Sequence, residues 1–135
     1  MLEASRTTLN TAAAALAGPG PLHVVLYALT VPGKSASSDL AAARGYAQAQ
    51  RMVVVDQLVD TLDAVDARTG ADDPSLRRGY ARALRIMADP SCAVRGMVAV
   101  SQTAITPVVR LYADQLAWYA ARRAGLWLVR SETGI

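Results

Sequence analysis

The sequence predicts a three-layer α/β domain with a mainly parallel sheet of about four strands. Three observations carry that prediction. Short apolar, β-rich runs alternate with helical stretches after a hard break at Gly18-Pro19-Gly20-Pro21, which no helix crosses because proline lacks an N–H and clashes with the preceding turn. The helical stretches open on capping residues, Ser38, Asp73-Pro74 and Thr106-Pro107, as helix starts require. Repeated strand–helix–strand units then need right-handed crossovers, which make the strands parallel and cover the sheet on both faces.

The elements follow in order. Residues 1–21 form an Ala-rich N-terminal helix or arm, with Leu2, Leu9, Ala13 and Leu16 at roughly helical intervals; it packs on a partner subunit or is a mobile terminus. Residues 22–135 form the α/β domain. Its first strand is His23 to Leu29. The loop Thr30 to Ser38 leads to a helix from Asp39 to about Arg51 that offers Leu40, Ala43, Tyr46 and Ala47 to the core. Strand two is Met52 to about Leu58. Asp60 to Asp73 reads as a surface loop. A helix capped by Asp73 starts at Pro74, with Leu76, Tyr80, Leu84 and Met87 at helical spacing up to Asp89-Pro90. Strand three is Met97 to about Ser101. The next helix runs from Thr106-Pro107 to about Arg123 on a stripe of Val108, Leu111, Tyr112, Leu116 and Tyr119, and Gly125 stops it. Leu126 to Val129 make the fourth strand.

Composition bounds the function. A chain of 135 residues, 53% hydrophobic, holds one domain with a real core. Its apolar runs fall short of the roughly 20 residues that span a bilayer, and Glu3 and Asn10 interrupt the start, so no membrane association and a cytoplasmic location are expected. The single cysteine, Cys92, makes no internal disulfide or metal cluster, and with His23, the only histidine, it reads as structural. No metal or cofactor is expected. The net charge is +3, with Lys34 the only lysine; that permits contact with DNA without requiring it.

In such sheets ligands bind beyond the carboxyl ends of the strands. The segments to search are therefore Thr30 to Ser38, Thr61 to Asp73, Gln102 to Thr106 and Ser131 to Ile135. The first strand ends in Tyr27-Ala28-Leu29-Thr30-Val31-Pro32, where many α/β enzymes carry catalytic residues, and what stands there is mostly apolar.

That ending resembles the strand-one motif of the serine recombinase catalytic domain, the resolvases and invertases, which reads tyrosine-alanine-arginine-valine-serine-threonine. Arg77-Arg78-Gly79-Tyr80, with Ala83-Leu84, resembles the family's arginine-proline-glycine helix start. Gly96 to Val100 enters Ser101-Gln102-Thr103-Ala104-Ile105-Thr106, where the family has leucine-aspartate-arginine-leucine-glycine-arginine. Ala124 to Val129 with Ser131 to Ile135 resembles its glycine-led fourth strand and acidic tail. The resemblance runs from about Leu22 to the last residue and implies a resolvase catalytic-domain-like fold, of flavodoxin-like layout.

The departures are chemical. In the family a serine hydroxyl attacks a DNA phosphodiester while arginines stabilise the charge that develops. Here the nucleophile position falls on Val31 and the strand-one arginine on Leu29. The third-loop aspartate and its two arginines fall on Gln102, Thr103 and Thr106. Of the family's arginines only the helix-start one has a match, Arg77, and a shifted alignment places Asp73 there instead. Catalytic residues are thus absent, and the resemblance implies a non-catalytic module, a pseudoenzyme, that self-associates as a homodimer and binds a protein or DNA partner.

Other constellations give the remaining expectations. Arg77, Arg78, Arg82 and Arg85 occupy one helix, where helical spacing groups Arg78, Arg82 and Arg85 on an exposed side for a partner or phosphate. Trp118 lies off its helix's stripe and, with Arg122 and Arg123, marks a possible interface. Asp60, Asp63, Asp66, Asp72 and Asp73 match no calcium loop and read as solvated. The alternative function is a small nucleotide- or phosphate-binding enzyme, in which Pro32-Gly33-Lys34-Ser35 holds a phosphate and Asp56 ends the next strand beside it.

Overall fold

The computed structural model describes residues 5–62 and 72–130. Helices α1 (Arg6–Ala17), α2 (Ser37–Ala49), α3 (Arg78–Ala88), α4 (Gln102–Ile105) and α5 (Val109–Arg122) accompany strands β1 (His23–Thr30), β2 (Val53–Thr61), β3 (Val94–Ala99) and β4 (Gly125–Leu128). The strands form one four-stranded sheet in the order β2-β1-β3-β4, and every pairing is parallel. The expected three-layer α/β architecture is the observed one.

Strand alternation sorts the core into two layers. Val24, Leu26, Val98 and Trp127 face α2, which approaches closely because its contact residues are Ala43 and Ala47. Val25, Tyr27, Met97, Ala99, Leu126 and Leu128 face the other way, against Tyr80, Ala83 and Met87 of α3 and Tyr112, Leu116 and Tyr119 of α5. Each large apolar side chain buried this way contributes about 1.5–3 kcal/mol. Gln115 also enters this layer, because its Oε1 accepts the Tyr80 hydroxyl at 2.9 Å.

Helix α1 closes the β4 edge. Leu9 joins one core layer and Ala13 the other, while the Asn10 amide imitates a neighbouring strand: Nδ2 donates to Leu126 O at 2.9 Å and Oδ1 accepts Leu126 N–H at 2.7 Å. Trp127 lies over two glycines. A Cβ on Gly96 would come within 2.3 Å of its ring and one on Gly125 within 2.4 Å.

Several expected boundaries move. β2 continues through Thr61, so Asp60 belongs to a strand and not to the loop predicted from its polarity. α2 starts at Ser37 with no side-chain cap, in place of a start capped by Ser38. Asp73 caps only a 3-10 turn, Pro74–Leu76, after which Arg77 is extended and α3 begins. That break shifts the helical phase, so Leu76 is 66% exposed instead of buried, and Ala83 takes a core position. Thr106 caps no long helix directly: α4 precedes it, its hydroxyl accepts Val108 N–H at 3.1 Å, and α5 begins at Val109. β3 lies earlier than expected, and β4 begins at Gly125. α5 therefore ends at Arg122 and is capped by Arg123, left-handed at φ 55°, and Gly125 is a strand residue under Trp127. None of the described helices is long and apolar enough to cross a membrane.

Candidate functional site

The polar residues that meet near the carboxyl ends of the strands are Tyr27, Asp60 and Arg77. Parallel pairing sets Asp60 of β2 beside Leu29 of β1. Its carboxylate accepts the Tyr27 hydroxyl at 2.8 Å and the backbone N–H groups of Gly79 and Tyr80 at 2.8 and 2.9 Å. Those are N–H groups of the first turn of α3, which have no partner within the helix. Asp60 is thus the N-terminal cap of α3, supplied from another element, and its negative charge meets the positive end of the helix dipole. Glycine gives the carboxylate room, because a Cβ at position 79 would stand 3.0 Å from Asp60 Oδ2 and press on it.

The cap fixes Arg77. This residue is extended, at φ −85° and ψ 138°, and only 7% exposed. Its guanidinium donates to Ala104 O at 2.9 Å and to Tyr27 Oη at 3.4 Å, joining α3 to β1 and to the segment after β3. Tyr27 packs edge-on against Tyr80, with ring centroids 5.3 Å apart. Burial pushes the Tyr27 hydroxyl well above the ordinary tyrosine range, against the opposing pull of Arg77. It is therefore a neutral donor to Asp60 that also accepts from Arg77.

The predicted site residues divide. Arg77 turns inward, whereas Arg78, Arg82 and Arg85 are exposed on α3, with Arg82 3.7 Å from Asp56. Trp118 is half-buried against the core, edge-on to Tyr119 and covered by the Arg122 guanidinium 4.3 Å from its ring centroid. Arg123 is exposed at the end of α5. Leu29 is half-buried and Val31 exposed just beyond β1; Gln102 and Thr106 are buried, and Thr103 shares a hydrogen bond with Ser101. Asp63, Asp66 and Ser131 to Ile135 lie outside the described residues.

The nucleotide-site alternative loses its geometry. Val31 to Lys34 form a tight turn, with Lys34 N–H on Val31 O and Gly33 at φ 84°, and α2 starts only at Ser37. Asp56 pairs with Val25, five residues before the last β1–β2 pair, Thr30 and Thr61, so it stands about 16 Å short of the strand end. Among the described residues no group of three or more His, Cys, Asp or Glu could hold a metal ion.

Sequence reasoning missed Asp60 because it lay in a polar, Asp-rich stretch. Its available signal was the odd helix start Arg77-Arg78-Gly79, which has no capping side chain of its own.

No family model and no curated protein sequence matches the chain. Among solved structures, the C-terminal catalytic domain of ISC1926 TnpA, an IS607-like serine recombinase, has a TM-score of 0.62 at 17% identity, covering 84% of this chain and 71% of that one. The N-terminal catalytic domain of TP901-1 integrase has a TM-score of 0.63 at 15% identity, over 79% and 76%. The first open reading frame of transposon ISC1904 from Sulfolobus solfataricus P2 gives 0.50 at 17% identity, over 83% and 70%. The fold is that of serine recombinase catalytic domains.

Proposed function

We propose that this chain is a recombinase-fold module without strand-cleaving chemistry, which acts by associating with itself and by binding a protein or DNA partner. In this reading, residues 22–135 are the recombinase-like unit and residues 1–21 carry the helix that closes its β4 edge. The observation that supports it most is Val31, an exposed alkyl side chain at the position the resemblance gives to the nucleophile. An isopropyl group cannot attack phosphorus. Leu29, Gln102, Thr103 and Thr106 supply no cation where a phosphate clamp would need one, and the one arginine at a matching position, Arg77, is buried on Ala104 O and Tyr27. Ser35 and Ser37, the nearest serines along the chain, bond each other at 2.6 Å.

The test is an assay of the purified chain on supercoiled plasmid, paired with light scattering. We expect no nicked or linear product, no covalent protein–DNA adduct, and a dimer. Binding to generic duplex, where present, weakens steeply with salt. A covalent adduct at any serine would sink the reading, and a monomer at all concentrations would remove its self-association.

A further inference from the structure

We propose that the outer edge of β2 is a docking strand for an extended protein segment with acidic side chains at alternate positions. The inference rests on the binding-module reading and names the surface and the partner's chemistry.

The two edges of the sheet are treated differently. The short edge, β4, is occupied by α1, whose Asn10 takes up both main-chain groups of Leu126. The long edge, β2, spans nine residues, and among the described residues no element lies along its outer side. An uncovered edge strand presents unpaired main-chain groups, and proteins usually blunt it with lysine, proline or a bulge. β2 contains no lysine or proline, and Val53, Val55 and Val59 are exposed along it. Its register shift lies at Val55, opposite Val24/Val25, which leaves Asp56–Thr61 as regular strand.

A ladder of cations runs beside that strand. The Gly79–Asp60 and Arg82–Asp56 contacts show that α3 runs antiparallel to β2. Arg78, Arg82 and Arg85, spaced i, i+4 and i+7, form one exposed stripe on α3, with successive rises of about 6 and 4.5 Å, and the stripe meets β2 through the Arg82–Asp56 contact. Alternate residues of an added strand advance about 6.7 Å, so acidic side chains at every second position would meet the ladder in turn. Arg44, held by Gln57 Oε1 at 2.8 Å, flanks the opposite face. Main-chain pairing would then supply affinity, and charge complementarity the register.

The same surface is poorly suited to the alternatives. DNA phosphates would meet the Asp56 carboxylate within the stripe and gain nothing from the exposed valines. A second copy of β2 would bring two carboxylates, Asp56 and Asp60, of which the first already faces Arg82 and the second already caps α3.

The test uses fluorescent nine-residue peptides and the full chain. A peptide alternating valine and glutamate should bind; one of the same composition with its glutamates grouped should bind about tenfold less tightly or worse. N-methylation of one alternate set of peptide N–H groups should abolish binding and of the other set leave it intact. Arg78→Glu with Arg85→Glu, both on the exposed face of α3, should weaken the alternating peptide about tenfold or more. The proposal is overturned by no binding of the alternating peptide, by equal binding of the grouped peptide, by indifference to both N-methylations, or by displacement of the peptide by generic duplex. If the peptides fail while the chain remains a dimer that does not cleave DNA, the docking strand falls and the module reading stands. Plasmid cleavage would remove that reading whatever the peptides do.

Discussion

Asp60 and Gly79 meet across two elements: the Asp60 carboxylate accepts the Gly79 N–H at 2.8 Å, in a space that a Cβ on residue 79 would narrow to 3.0 Å. The contact couples the end of β2 to the start of α3. It also sets where Arg77 points.

Replacing Asp60→Asn should therefore destabilise the whole domain. An amide turns one acceptor into a donor facing N–H and O–H groups, at a cost of about 1–3 kcal/mol. Urea unfolding should show a lower midpoint with an unchanged slope. Asp73→Asn, which alters only the cap of a 3-10 turn, should lose less than about 1 kcal/mol. Equal losses would refute the assignment of Asp60 as the principal cap.

Arg77→Met removes the link to Ala104 and Tyr27 while keeping an alkyl stem. The loss of a buried, charged hydrogen-bond donor should destabilise by about 2–4 kcal/mol. The local signature is more telling. Hydrogen exchange should quicken at Thr106, whose N–H closes the α4 turn on Gln102 O, more than at Met97 in the central strand β3. Uniform loss of protection would show instead that Arg77 supports the fold as a whole.

Alkaline pH should unfold the protein through its tyrosines. Burial raises Tyr27, Tyr80 and Tyr119 above their ordinary value, which is about 10 in the unfolded chain. A group raised in the folded state holds its proton longer there, so its contribution is complete below about pH 10 and is lost as pH rises beyond. Each such tyrosine should lower stability by about 1.4 kcal/mol per pH unit in that range. Urea titrations from neutral to alkaline pH measure the slope, and Tyr119→Phe should reduce it. A flat stability above pH 10 would contradict the buried, neutral state of these hydroxyls.

The layered architecture was legible because its causes are local. Gly18-Pro19-Gly20-Pro21 breaks the chain by its own backbone chemistry, and apolar runs such as His23 to Leu29 pattern as buried strand wherever they lie. The alkyl side chains of Leu29 and Val31 at the end of the first strand were also legible, since side-chain chemistry needs no coordinates.

The sequence by itself determined the α/β alternation and the parallel sheet. Only the tertiary structure decided the roles of Asp60, Arg77 and Asn10. Asp60 reads as a solvated loop residue until β2 is long enough to bring it to α3. Arg77 reads as one of a group of four arginines until the cap turns it inward and leaves Arg78, Arg82 and Arg85 outside. Asn10 bonds Leu126 across 116 residues. Hydrogen bonds of that span depend on register and on the approach of distant elements, which no local periodicity encodes.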